Sequence, residues 1–392
     1  MQLSDLSNYL AGKFSLEKPR YVLDDHVVCQ TYDFVSDISS PFDSESEWFR
    51  VGLAGNSLEN GVKENRKFRY VVFSPAQNRK FSDAIILLHG LNERRWDKYL
   101  PWAYQLVLDT QKPVILFPFA YHINRSPQTW CCPRLMNQFA VLRRTTVPSV
   151  ENSTFVNVAI SMRMDSFPEL FIVSGLQTYF DLVKLSSAIR AGQCEPFETG
   201  CKIDFFAYSI GVLLAEIFLI SNPLQLFSDS KAFFFCGGAT FDQINGCTRS
   251  IMDSKAFVHL RNHVLSPQTT VPEKELKIPE RQTYLLTSAW KAFLAMSGLQ
   301  THAQDRENAL AKLINRVKTI GLKNDFVIPA HAIKETLGRV CNNRRFDVDV
   351  LDFPYKYSHE TPFPVTNQHV NENVNQAFTQ VFQKASLFFL SR

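Results

Sequence analysis

Short apolar runs alternate along most of the chain with segments whose apolar residues recur at helical spacing. The predicted strands are "KFRYVVFSP" (67–75), "DAIILLHG" (83–90), "PVILFPFA" (113–120), "KIDFFAY" (202–208), "KAFFFCGG" (231–238), "NRVKTIGLKND" (315–325) and "RFDVDVLDF" (345–353). The predicted helices are "WDKYLPWAYQLVLDT" (96–110), "GLQTYFDLVKLSSAIRAG" (175–192), "IGVLLAEIFL" (210–219) and "NENVNQAFTQVFQKASLFFL" (371–390). This alternation predicts an α/β fold with a mostly parallel central sheet and helices on both faces.

Three parts of the chain depart from this alternation. Residues 1–66 are irregular and polar in places, so we predict an N-terminal extension before a domain that spans residues 67–392. Residues 121–170 and 239–314 separate strands from the next element by more than a usual connection, and the second carries helix-like segments. Insertions at the carboxyl ends of strands lie above the ligand crevice of such sheets, so we predict a helical cap or lid over a pocket.

Composition supports a globular protein and excludes several classes. Of the 392 residues, 45% are hydrophobic and 20% are charged, which argues against disorder. The 33 phenylalanines predict an aromatic core and an apolar pocket. The net charge is +4 without a long basic run, so we expect no nucleic-acid partner.

Location and cofactors are predicted mainly from missing signals. The chain has no basic start followed by an apolar core and no stretch near eighteen apolar residues, so we expect no secretory signal and no transmembrane segment. Its eight cysteines form no CxxC pair, which favours reduced thiols and a cytoplasmic location. No phosphate-binding glycine loop occurs, and "HLRNH" (259–263) lacks the glutamate of a zinc peptidase, so we expect no cofactor and no metal. Oligomeric state is left open.

The segment "KIDFFAYSIGVLLAEIFL" (202–219) places Ser209 between a buried strand and a buried helix. A nucleophilic serine on such a turn needs small residues two positions away on each side, and Ala207 and Gly211 are small. The start of the helix supplies backbone donors for an oxyanion. We therefore predict Ser209 as a nucleophile; the alternative is a serine that only caps the helix.

The loop "LLHGLNERRW" follows an earlier buried strand and predicts the second half of an oxyanion hole. We assign the two donors to the backbone N–H groups of Leu91 and Ile210. Gly90, Asn92 and Tyr208 are the predicted substrate-binding residues.

An acid and a base must follow Ser209 in this chain order. Asp325 in "KNDFVIP" and His359 in "FPYKYSHETPFP" each follow a predicted strand, at the end where the crevice lies. The alternative acids are Asp347, Asp349 and Asp352, and the alternative base is His369.

Charged residues near two strand ends offer further possibilities. Glu93, Arg94 and Arg95 either line the crevice and bind an anionic group or form the exposed start of a helix. His122 and Arg125 follow another strand end and are candidates to face the pocket.

The segments "AYSIG", "HGLN", "KNDFVIP" and "YSHE" together resemble the α/β-hydrolase superfamily over residues from about 67 to the carboxyl terminus. Within it, "LLHGLNERRWDKYLPWA" resembles a bacterial group for which the resemblance supplies no substrate. It implies a triad in which Ser209 attacks, His359 transfers the proton and Asp325 orients His359. The expected function is a serine hydrolase that cleaves a carboxylic ester or related acyl bond of a small-molecule or lipid-like substrate. The alternatives are a binding protein without turnover on the same fold and an acyltransferase.

Overall fold

The computed structural model describes residues 2–39, 62–77, 79–271, 276–338, 345–365 and 371–391. The strands are β1 Arg20–Val22, β2 Val27–Val35, β3 Lys67–Pro75, β4 Phe81–Leu88, β5 Val114–Leu116, β6 Phe197–Tyr208, β7 Ala232–Phe235, β8 Val317–Leu322 and β9 Val348–Leu351. The helices are α1 Leu3–Lys13, α2 Lys63–Arg66, α3 Leu100–Thr110, α4 Pro133–Thr146, α5 Val158–Ser166, α6 Leu170–Arg190, α7 Ile210–Ser221, α8 Ser254–Val264, α9 Thr283–Ser297, α10 Ala303–Ala311, α11 Ala330–Gly338 and α12 Asn371–Leu390. The alternative base His369 lies outside the described residues.

All described strands belong to one sheet with the order β1-β2-β3-β5-β4-β6-β7-β8-β9. The strands from β5 across to β9 are parallel, whereas β1, β2 and β3 pair in antiparallel fashion. The parallel strands also end nearly in register, since Leu88 pairs with Ala207 and Tyr208 pairs with Phe235. The residues that follow these strands therefore share one edge of the sheet, which is where open α/β sheets bind ligands.

Alternate residues of the central strands belong to two separate hydrophobic clusters. Ile86 and Leu88 of β4 pack with α6, α7 and α9, whereas Ile85 and Leu87 pack with α1, α3 and α12. This period of two is the pleat of a strand that is buried on both faces, and it explains why these strands are continuously apolar. The predicted α/β fold class, with a mostly parallel sheet covered on both faces, is confirmed.

The prediction of irregular structure before residue 67 requires correction. Helix α1 lies there, and strand β2 pairs along its whole length with β3 in the same sheet. Strand β2 lies near the edge of the sheet, and the half toward its carboxyl end is only partly buried. Its sequence therefore lacks the continuous apolar run of the central strands. Because polar residues also follow β2, the sequence pattern did not predict this strand.

The two long interruptions contain helices, as predicted, and they contact each other. Helices α4 and α5 lie in the first interruption and α8, α9 and α10 in the second. Arg143 of α4 donates hydrogen bonds to Asp253, which caps α8, at 2.9 Å, and to Asp165 of α5, at 3.0 Å. Because Arg143 and Asp253 are buried, this ion-pair cluster holds the two interruptions together. That these helices form a cap over a pocket stays a prediction.

Two chain-wide features concern membranes and thiols. Among the described residues, no helix combines the length and apolar character that crossing a membrane requires. The cysteines in the same part of the chain are free thiols.

Glu216 of α7 is an ionisable residue in the core. Its side chain is fully buried, and neither carboxylate oxygen has a hydrogen-bond partner within the described ranges. Burial raises the pKa of Glu216 well above its ordinary range, because a charge is poorly solvated there. The carboxyl is therefore protonated in the folded protein at pH values where the unfolded chain has already ionised it.

We expect Glu216→Gln to be more stable than the wild type, by a margin that grows with pH. The folded protein binds the proton more tightly than the unfolded chain, so wild-type stability falls as pH rises above the ordinary glutamate pKa. The slope is about 1.4 kcal/mol per pH unit until the folded-state pKa is reached. Urea unfolding at several pH values measures this margin, with the exposed Glu335→Gln as control. A constant margin between Glu216→Gln and the wild type would contradict the prediction.

Candidate active site

Ser209 lies on a sharp turn between β6 and α7. Its backbone has φ 59° and ψ −128°, a strained conformation for a residue other than glycine. Gly211 lies so close to β4 that a Cβ atom there would be 2.6 Å from the carbonyl oxygen of Leu88. The Ser209 side chain makes no hydrogen bond to the start of α7, so helix capping does not account for it. The strained turn instead directs the hydroxyl toward the edge of the sheet.

The Ser209 hydroxyl, the His359 imidazole and the Asp325 carboxylate form a continuous hydrogen-bond chain. Ser209 Oγ lies 2.6 Å from His359 Nε2, and His359 Nδ1 lies 2.7 Å from Asp325 Oδ2. All three residues are buried. Because a carboxylate only accepts, Nδ1 carries a proton and Nε2 is free to accept the serine proton. The structure thus brings together the three residues predicted as nucleophile, base and acid.

Asp325 is fixed by its own backbone surroundings. Its Oδ1 accepts the N–H groups of Val327 and Ile328, each at 2.9 Å, which leaves Oδ2 directed at His359. This arrangement makes Asp325 both well oriented and hard to displace.

The alternative acids are occupied elsewhere. Asp349 pairs with Lys384 at 2.8 Å, Asp352 pairs with Lys323 at 2.9 Å, and Asp347 pairs with Lys318. The solvated face that these three carboxylates form explains their alternation along and beyond β9.

Tyr208 lies behind the imidazole. Its ring stacks on His359 with centroids 5.5 Å apart, and its hydroxyl donates to the His359 carbonyl oxygen. The side chain is 1% exposed and packs against Trp102. Sequence analysis predicted a substrate contact for Tyr208, but this position suits a residue that holds His359 in place.

The loop after β4 places Gly90 and Leu91 beside the serine. A Cβ atom on Gly90 would lie 3.4 Å from Ser209 Cβ, so the two backbones are in close contact. Leu91 and Ile210 both line one cavity. Neither N–H has a hydrogen-bond acceptor within the described part of the protein. Both donors are therefore available to an oxyanion.

Asn92 ties this loop to both insertions. Its backbone φ is 58°, and its amide nitrogen donates to the carbonyl oxygens of Val156, at 3.1 Å, and Ser250, at 2.7 Å. Both amide protons are thereby used within the fold. The predicted substrate contact of Asn92 gains no support from these bonds.

His89 shapes the loop from inside the protein. Its Nε2 accepts the N–H of Phe119 at 2.9 Å, and its Nδ1 donates to the carbonyl oxygen of Gly90 at 2.8 Å. Burial lowers the pKa of His89 well below its ordinary range, so the ring is neutral and suited to one donor and one acceptor role. In the sequence, the one signal for His89 was its position directly before Gly90.

A polar network that sequence reasoning missed connects this loop to the segment that carries His359. Lys98 binds the Glu93 carboxylate and also donates to the carbonyl oxygen of Glu360 at 3.1 Å. Tyr99 donates to Glu93 at 2.7 Å and accepts the N–H of Gly90 at 3.0 Å. Glu93 is thus an internal link between the two loops rather than a group that is free to bind a ligand.

Of the remaining candidates, Arg125 has a structural role and His122 lines a cavity. Arg125 is fully buried and donates to Asp181 at 2.9 Å, so its role is structural. His122 lines an apolar cavity next to Ile210. Within the described residues, no group of three or more histidine, cysteine or acidic side chains is arranged to hold a metal ion.

Comparison with known proteins assigns this chain to a protein family. The family model described as "Family of unknown function (DUF6051)" matches residues 21–390. No curated protein matches the chain.

Several solved structures are similar in overall path at low sequence identity. A cold-adapted esterase from an Arctic intertidal metagenomic library is 9% identical with a TM-score of 0.45, covering 95% of this chain and 99% of that one. Esterase LipW from Mycobacterium marinum is 10% identical with a TM-score of 0.45, covering 93% and 83%. The peroxisomal α/β-hydrolase Lpx1 from Saccharomyces cerevisiae is 13% identical with a TM-score of 0.39, covering 92% and 91%. Likeness at this level assigns neither activity nor substrate.

Proposed function

Since the chain belongs to the family of unknown function DUF6051, we propose its activity from its own residues: it is a serine hydrolase that cleaves a carboxylic ester or related acyl bond through an acyl-enzyme. The observation that carries this proposal is the hydrogen-bond chain from Ser209 through His359 to Asp325, with distances of 2.6 Å and 2.7 Å. A hydroxyl, an imidazole and a carboxylate in that order form the arrangement that makes serine nucleophilic.

In the first half of the reaction, Ser209 Oγ attacks the acyl carbon while its proton passes to His359 Nε2. The carbonyl oxygen becomes negatively charged and accepts hydrogen bonds from the N–H groups of Leu91 and Ile210. Asp325 stabilises the imidazolium that forms. The intermediate then expels the leaving alcohol, which takes the proton from His359 Nε2 and leaves an ester on Ser209.

In the second half, a water molecule replaces the alcohol. His359 Nε2 accepts a proton from this water, whose oxygen attacks the acyl carbon of the Ser209 ester. The second oxyanion uses the same two backbone donors, and its collapse returns the proton to Ser209 Oγ and releases the acid. The buried position of all three side chains supports this cycle, because electrostatic interactions are stronger away from water.

One contact and one backbone conformation support a catalytic serine over a helix cap or a binding protein without turnover. The Ser209 hydroxyl bonds to His359 and not to the start of α7. The backbone at Ser209 is strained at φ 59°, and backbone strain of this kind clusters at functional sites.

A fluorophosphonate probe tests the proposal directly, because it bonds covalently to an activated serine. We expect rapid labelling of the wild type, no labelling of Ser209→Ala, and a modified peptide that contains residue 209 in mass spectrometry. Labelling that persists in Ser209→Ala would remove this residue as the nucleophile. A folded wild-type protein that resists the probe and hydrolyses no ester would overturn the proposed function.

A further inference from the structure

An apolar cavity begins at the two residues whose N–H groups are proposed to bind the oxyanion. Leu91 and Ile210 contribute to its wall, together with Phe119 and His122, and residues of helices α6, α7 and α9 form the rest. Its cavity volume is about 80 Å³. An acyl group whose carbonyl oxygen lies between those two donors would have this cavity directly beside it.

The hydroxyl side chains in the described part of the wall, Ser174, Thr178 and Tyr179, have partners within the protein. Thr178 accepts the N–H of Ala120 at 2.9 Å and donates to the carbonyl oxygen of Ser174 at 2.8 Å. Ser174 donates to the carbonyl oxygen of Phe171 at 3.0 Å, and the Tyr179 hydroxyl bonds to Ser221 at 3.0 Å. The protons of these hydroxyls are therefore used within the protein, and most other residues of the described wall are apolar.

The cavity wall also carries no charge. Among the described residues, the wall has one imidazole, His122, which donates from Nδ1 to the carbonyl oxygen of Ala120 at 2.8 Å and whose buried Nε2 has no hydrogen-bond partner there. Burial lowers the pKa of His122 to about 4, so the ring is neutral at physiological pH. Among the residues that the structure describes, no lysine, arginine or acidic side chain lines the cavity. An ionised ligand group would be poorly solvated there, whereas a hydrocarbon chain would be well accommodated.

A glycine inside a helix keeps part of the cavity open. Gly175 lies in the interior of α6 and lines the cavity, and a Cβ atom built on it would meet no atom within 4 Å. The wall also includes Trp290 and Phe293 of α9, whose rings stack with centroids 5.4 Å apart. A Cβ atom at position 175 would therefore take up part of this space without displacing the protein.

We propose that this cavity binds the hydrocarbon chain of the acyl group, so that the substrates are esters of linear, uncharged, apolar carboxylic acids longer than acetate. This inference rests on the proposed function, since it places the acyl carbon at Ser209. Each methylene that enters the cavity is expected to raise kcat/KM about fourfold until the space is filled. Helix α9, from the second insertion, sets the limit of chain length.

The test compares p-nitrophenyl acetate, butyrate, octanoate and dodecanoate as substrates of the wild type and Gly175→Leu. We expect wild-type kcat/KM to rise from acetate to octanoate. Gly175→Leu should lose at least about tenfold on octanoate while acetate stays within about twofold, because only the longer chain needs the filled space. Gly12→Leu is the matched control, since Gly12 also lies in a helix with open space around it. Equal losses on both esters, or no loss on octanoate, would overturn the inference.

Two further measurements keep the inference testable if Gly175→Leu folds poorly or turnover is absent. Gly175→Ala adds one methyl group and removes the helix cost of glycine, so we expect an unchanged or higher Tm and a shorter optimal chain. In Ser209→Ala, methyl octanoate should raise the Tm and methyl acetate should not. If the fluorophosphonate fails but this selectivity holds, the proposed function falls and the cavity ligand stands. If the fluorophosphonate labels Ser209 but neither kcat/KM nor Tm depends on chain length, only the inference falls.

Discussion

Ser209→Ala is expected to lower kcat/KM for p-nitrophenyl octanoate by about 10⁴-fold or more. The variant loses the only atom that can form the acyl-enzyme, while the two backbone donors and His359 remain. Residual hydrolysis then depends on water that His359 activates without the advantage of a positioned nucleophile. Because the step that fails is the chemical one, the loss should fall on kcat, and KM should change little.

The structure also predicts what Ser209→Ala leaves unchanged. Residue 209 keeps its strained backbone whether it carries serine or alanine, so unfolding by heat should give nearly the same Tm. The exposed Ser228→Ala is the matched control and should retain wild-type kcat/KM. Activity within about tenfold of the wild type in a folded Ser209→Ala protein would contradict nucleophilic catalysis.

The central sheet was predictable because each strand can be identified from the apolar residues within its own segment. Strand β3 spans Lys67–Pro75 as predicted, and the closing helix α12 spans Asn371–Leu390 as predicted. Both segments bury enough of their own residues for composition and period to identify them. The turn at Ser209 was predictable for the same reason. The small residues on each side of the serine fall within five consecutive positions (207–211), between a buried strand and a buried helix.

The contacts that support the candidate site could not be predicted in the same way. Lys98 meets the carbonyl oxygen of Glu360 across 262 positions of the chain, and Tyr208 meets His359 across 151. Neither pairing leaves a periodic pattern, because each depends on how strand ends align along the edge of the sheet. Asn92 shows the same limit, since its partners Val156 and Ser250 lie in two separate insertions.

These supporting contacts give the two loops at the site a common attachment. The loop after β4, through Glu93, and the segment that carries His359, through Glu360, are both bound by Lys98, which lies 4.9 Å from the Tyr208 ring centroid. A displacement of one loop therefore strains the contacts of the other. Positioning of this kind matters because hydrogen bonds that act on a developing charge depend strongly on geometry.

Asp325→Asn is expected to lower kcat by about 10⁴-fold with KM nearly unchanged. The N–H groups of Val327 and Ile328 both require an acceptor, so the amide oxygen takes the place of Oδ1. The amide NH₂ then faces His359 Nδ1 and donates to it. Nδ1 must give up its proton, which moves to Nε2, and Nε2 can no longer accept the proton of Ser209.

Proton NMR distinguishes this tautomer effect from a general structural loss. The wild type should show a downfield resonance from the His359 Nδ1 proton, and Asp325→Asn should lose it while keeping the dispersed spectrum and Tm of a folded protein. Asp352→Asn is the control, because Asp352 is exposed, pairs with Lys323 and should leave kcat unchanged. Since the alternative carboxylates of β9 pair with lysines, they are not placed to substitute for Asp325. A folded Asp325→Asn protein with near-wild-type kcat would therefore show that His359 does not depend on this carboxylate for its orientation.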